Sequence, residues 1–89
     1  MAKRGRLEII RDLLAVVRDN RQGIKFTPLL RKTNLSSARF SEYFEEIKSK
    51  EFIEERIEGD QKKYFITERG LRFLEKYQTI SNFISEFEL

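Results

Sequence analysis

Two helices of only two or three turns each cannot stand without a third element to close a core. Residues Thr27 to Ile47 (TPLLRKTNLSSARFSEYFEEI) impose that condition on the whole chain. Thr27 is a good N-cap, and Pro28 suits the first helical position, where a missing N–H costs nothing. Leu29 and Leu30 give this helix an apolar side, and Asn34 with Ser36 breaks it within two turns. Ser36 then caps a second helix, in which Phe40, Tyr43, Phe44 and Ile47 fall at the spacing of one buried face. The third element is supplied by Arg6 to about Asn20, where Leu7, Ile10, Leu14 and Val17 recur at three and four. Ile9, Leu13 and Val16 widen the stripe, and Arg11 and Arg18 fall on its wet side.

Gly23 fits a left-handed position after that first helix, and Ile24-Lys25-Phe26 reads as a short edge strand leading to the Thr27 cap. Beyond the paired helices, Phe52–Ile57 and Lys63–Thr67 are two β-rich runs, separated by Glu58-Gly59-Asp60-Gln61 as a hairpin turn. Thr67 caps a final helix that can run from Glu68 almost to the end, roughly 30 Å at the usual rise. Leu71 and Leu74 fit a face turned back onto the domain. Phe73, Tyr77, Ile80, Ile84 and Phe87 step by four, three, four and three, the spacing of a helix–helix seam. The seam spans about two heptads, and its alternative use is to fold back onto its own domain. The expected division is a domain over residues 1–70 and a dimerisation helix over 71–89.

Charge is unevenly distributed. Residues 1–40 hold ten Lys/Arg against three acids, a balance of +7, and residues 41–89 hold eight against twelve, a balance of −4. A field of that shape points the N-terminal half at a polyanion, with a solvated surface as the alternative. Met1 to Arg6 forms a short basic arm suited to tracking phosphates or to fraying. The chain has neither Cys nor His, so disulfides, thiolate metal sites and the usual general bases are excluded. It has no Gly-rich phosphate loop and no Gly-x-Ser-x-Gly elbow, and Glu45-Glu46 and Glu54-Glu55 read as solvated carboxylates. The expectation is a protein that is not an enzyme and takes no cofactor, metal or small-molecule ligand. No apolar run approaches ~18 residues and no hydrophobic signal core is evident, so the expected setting is cytoplasmic and nucleoid-associated, away from membranes.

The complete order, α-β-α-α-β-β-α, describes an α+β and mainly α fold. It is a helix-turn-helix followed by a two-stranded wing and a long C-terminal helix. The stretches NLSSARFSEYFEEIKSKEFIE and ITERGLRFLEKY resemble the small archaeal winged helix-turn-helix proteins of the Sulfolobus 10a type. That pattern is matched by Leu35-Ser36, Tyr43-Phe44, Phe52-Ile53, and Thr67, Gly70, Phe73 and Leu74. The resemblance implies a homodimer held by antiparallel packing of the last helices, with two heads binding double-stranded DNA. It departs from the family on the recognition helix, where a helical wheel places Ala38, Glu42, Glu45 and Ser49 furthest from the core. Carboxylates there repel phosphates, although Glu accepts a hydrogen bond from cytosine N4.

Within this reading Ser36, Ser37, Arg39 and Ser41 are expected at the groove, Arg31 and Lys32 on the backbone, and Lys62 and Lys63 at the wing. Arg39 carries a fork able to read guanine; its alternative role is a surface contact to Glu42 or Glu46. Phe73, Tyr77, Ile80, Ile84 and Phe87 are expected at the dimer interface. Two other functions fit the same fold, a protein–protein interaction module and an architectural, chromatin-type DNA-binding protein.

Overall fold

The computed structural model describes residues 5–89. Of the expected basic arm, Lys3 and Arg4 lie outside the described residues. The element order is α1 (Arg6–Asp19), α2 (Phe26–Thr33), α3 (Ser37–Ser49), β1 (Ile53–Glu58), β2 (Gln61–Ile66) and α4 (Glu68–Glu86). It is the expected mainly helical winged helix-turn-helix with a C-terminal helix.

The core follows from the stripes. Ile9, Ile10, Leu13, Leu14 and Val17 of α1 are buried against Leu29 of α2, Phe40, Phe44 and Ile47 of α3, and Leu74 of α4. Phe26, Phe40, Phe44 and Tyr64 form a ring cluster with neighbouring centroids 4.9 to 5.4 Å apart, three of the four contacts being edge-to-face. Such pairs add about 0.5–1.5 kcal/mol each beyond their area.

That cluster moves the start of α2. The helix begins at Phe26, so Thr27 and Pro28 are its second and third residues, and the N-cap is Lys25 with no side-chain cap bond. A hydroxyl cap contributes about 1 kcal/mol. Drawing Phe26 into the helix sets its ring against both Phe40 and Phe44, which outweighs the cap. Pro28 is tolerated because the whole first turn lacks intrahelical acceptors. The expected strand at residues 24–26 is accordingly a single bridge, Ile24 with Tyr64, closed by N–H···O contacts of 3.0 and 2.8 Å.

The other boundaries hold because they are local. Asn34 ends α2 in the left-handed region at φ 58°, and Ser36 caps α3, its Oγ accepting from Arg39 N–H at 3.3 Å. β1 and β2 pair antiparallel from Ile53↔Ile66 to Glu58↔Gln61. Gly59 (φ 66°) and Asp60 form the two-residue turn, with glycine at the first central position that such a turn demands. Thr67 caps α4, accepting from Gly70 N–H at 3.0 Å, and its own hydroxyl donates to the Glu51 carbonyl at 2.7 Å. Gly70 is buried against the Phe52 carbonyl, and a Cβ there would stand 2.3 Å from that oxygen. The Thr-x-x-Gly pattern is thus a docking device for the start of α4.

Only part of α4 docks. Leu74 is buried and Phe73 half-buried, its ring 5.3 Å from that of Phe52. Leu71, expected to face the domain, is exposed. Past Tyr77 every side chain is exposed. No helix among the described residues is long and apolar enough to cross a membrane.

Candidate nucleic-acid interface

Because Phe40, Phe44 and Ile47 anchor one side of α3, the helical period turns the opposite side outward. Ser37, Ala38, Arg39, Ser41, Glu42, Glu45 and Ser49 are all exposed there, and Ser36 is exposed at the cap. Arg31 and Lys32 are exposed in the last turn of α2, the helix preceding it.

Exposure is necessary for a phosphate contact, but an uncommitted charge matters as much. Arg31, Lys32 and Arg39 form no ion pair among the described residues. The alternative role for Arg39, a contact to Glu42 or Glu46, is not formed. Glu46 is instead engaged by Arg6 of α1 and lies 3.9 Å from Lys50 Nζ.

The wing differs. Lys62 Nζ lies 3.7 Å from a Glu55 oxygen, and Lys63 Nζ lies 3.4 Å from Glu58 Oε1. Adjacent strand residues point to opposite faces, so the two lysines are not brought together. Lys62 shares the face of Tyr64, whose ring meets Phe44 of α3. Lys63 turns with Phe65 toward Gly23, at the far end of α1. Lys62 also borders a cleft with Lys25, Phe26, Thr27 and Pro28 at the start of α2.

Two residues here were not anticipated from sequence. Lys25 faces the wing-tip cleft because it, and not Thr27, precedes α2. Glu55 joins the wing to α3. It accepts from the Tyr64 hydroxyl at 3.4 Å and lies 3.8 Å from Lys48 Nζ, as well as contacting Lys62. Burial, and then the Glu55 carboxylate, push the Tyr64 hydroxyl above its ordinary range. The strand period puts Glu55 opposite Tyr64, but nothing in sequence places Lys48 beside it.

The residues expected at a dimer contact divide. Phe73 and Tyr77 are half-buried on the domain, with the Arg11 guanidinium 5.1 Å from the Tyr77 ring centre. Ile80, Ile84 and Phe87 are 59, 42 and 59% exposed. Ile80 and Ile84 line an open groove with Leu7 of α1.

A family model described as winged helix-turn-helix matches residues 3–85. Among solved structures, SSV1 F-93 is similar at 26% identity with a TM-score of 0.67, over 90% of this chain and 88% of that one. Sso10a-2, a DNA-binding protein from Sulfolobus solfataricus, is similar at 21% identity and a TM-score of 0.69, over 96% of this chain and 90% of that one. No curated protein matches the chain.

Proposed function

The chain belongs to the winged helix-turn-helix family, and from that premise we propose that it binds double-stranded DNA as a homodimer and regulates transcription. The observation that carries this reading is the set of exposed, uncommitted cations, Arg39 on the capped α3 and Arg31 and Lys32 in the last turn of the preceding α2. The similarity to Sso10a-2, itself a DNA-binding protein, supports it at the level of fold.

In this reading α3 enters the major groove with Ser36, Ser37, Arg39 and Ser41 near base edges and phosphates. Arg31 and Lys32 neutralise phosphates from α2, and Lys62 does so from the wing face shared with α3. Lys63 contributes less, because its face of the wing is turned toward α1. Ile80, Ile84 and Phe87 pair with the same residues of a second copy. The head then comprises residues 1–70, and 71–89 serve the dimer. A cytoplasmic, nucleoid-associated setting follows from this function.

The test is a mobility-shift titration of one duplex at two salt concentrations. Binding is expected to weaken steeply with salt, because releasing condensed counterions gains less entropy as the bulk salt concentration rises. Lys62→Ala should lower the salt slope by about one per head, and Lys63→Ala should leave it nearly unchanged. Absence of binding to any duplex would favour a protein-interaction role, which the outward carboxylates Glu42 and Glu45 support.

A further inference from the structure

We infer that Glu42 is a specificity-determining residue, selecting cytosine at the base pair next to one read by Arg39. This rests on the DNA-binding reading above and deepens it.

Most carboxylates near the recognition face are already occupied. Around α3 and the wing, Glu46 is held by Arg6 and Lys50, Glu55 by Lys48 and Lys62, Glu54 by Arg56, and Glu58 by Lys63. Glu42 is exposed and forms no ion pair among the described residues, even though Arg39 stands one turn before it. Both side chains are therefore available to an external partner. The anchoring of Phe40, Phe44 and Ile47 places Glu42 almost diametrically opposite the core, at the centre of the face a groove would receive.

A carboxylate at that position has a narrow choice of partners. It accepts hydrogen bonds and donates none, and phosphates repel it. In the major groove guanine presents only acceptors, N7 and O6, and thymine an acceptor and a methyl group. Adenine offers its N6 amino group beside the N7 acceptor, whose lone pair opposes a carboxylate. Cytosine offers the N4 amino group with no acceptor of its own alongside. Cytosine is the base that stabilises Glu42: guanine and thymine leave a desolvated carboxylate unpaired, and adenine sets its N7 lone pair against it, each of which is costly.

Spacing supplies the second half. Three residues along α3 correspond to a rise of about 4.5 Å, close to the step of about 3.4 Å between base pairs. The Arg39 fork satisfies guanine O6 and N7. Arg39 and Glu42 together then read two neighbouring pairs, one by attraction to guanine and one by selection for cytosine.

The test is selection from random duplexes by the unaltered full chain and by Glu42→Gln and Glu42→Ala, followed by titration on the enriched site. The unaltered protein should enrich a site with cytosine beside a guanine-preferring position. Glu42→Gln should switch that cytosine to adenine, since a carboxamide both donates and accepts and matches adenine N7 and N6. Glu42→Ala should erase preference at that position alone, with discrimination falling about tenfold. Arg39→Ala should erase the neighbouring guanine and keep the cytosine. An enriched site unchanged in Glu42→Gln, with affinity for every duplex raised equally, would show that Glu42 acts only by repelling phosphate and would overturn the inference while leaving DNA binding intact. Failure of the unaltered protein to bind any duplex would remove the DNA-binding reading itself, and this inference with it.

Discussion

The two halves of α4 carry the same kind of apolar periodicity and put it to different use. From Glu68 to Tyr77 the helix is drawn onto the head, with Gly70 and Leu74 buried and Phe73 half-buried. From Gln78 onward it is uncovered, and Ile80, Phe83, Ile84, Phe87 and Leu89 are all exposed. The difference lies in what each half finds opposite it. The first half meets Phe52, Ile66 and α1, whereas the second only borders an open groove with Leu7 of α1 and is left uncovered by it. A stripe that continues beyond its own cover leaves an exposed apolar surface, which the proposed dimer would bury.

The largest expected effect is on that second half. Replacing Ile80 and Ile84 together by Lys removes two side chains whose burial is worth about 1.5–3 kcal/mol each. Sedimentation should then report a monomer, and the melting temperature should cease to depend on protein concentration. A wild type that sediments as a monomer at micromolar concentration would break the comparison, since the exposed half would then have no partner of its own kind.

The next effect is on the first half. Gly70→Ala places a Cβ against the Phe52 carbonyl, 2.3 Å away in the present backbone. The start of α4 must retreat, loosening the bond from Thr67 N–H to the Phe52 carbonyl at 3.1 Å. A loss of about 3 kcal/mol is expected, at the upper end for overpacking. For a domain of this size that lowers the melting temperature by roughly 15 °C. Denaturant unfolding at a concentration too low for dimers isolates this effect.

The smallest effect lies at the boundary. Tyr77 stacks on Phe73 with centroids 6.3 Å apart and receives Arg11 over its ring, while the same side chain borders the open groove beside Ile80. Tyr77→Ala should cost about 1 kcal/mol in head stability and also weaken self-association. Tyr77→Phe should leave both unchanged, because the ring makes these contacts. A loss confined to association would move the boundary toward the head by one turn.

Much of this was legible in the sequence because it is local. The Ser36 and Thr67 caps need only a hydroxyl three residues before a free N–H, and Gly59-Asp60 needs only a turn that tolerates positive φ. The faces of α1 and α3 follow from periodicity alone. The opposite facing of Lys62 and Lys63 was present in the strand period as well.

Other features required the packed chain. Whether α2 starts at Pro28 or Phe26 depends on rings fourteen and eighteen residues away, and the aromatic cluster overrides the local cap. Which cations are free depends on carboxylates brought close by folding, as Arg6 on Glu46 and Lys48 on Glu55 illustrate. The division of α4 is of the same kind, because a stripe records that burial is wanted and only the shape of the head decides where its own cover ends. Sequence by itself determined the helices and the hairpin, the caps of α3 and α4 and the apolar faces of α1 and α3, since those arise from neighbours within a turn or a strand pair. Tertiary structure decided the helix start, the uncommitted charges and the reach of α4, since each is a competition between contacts far apart along the chain.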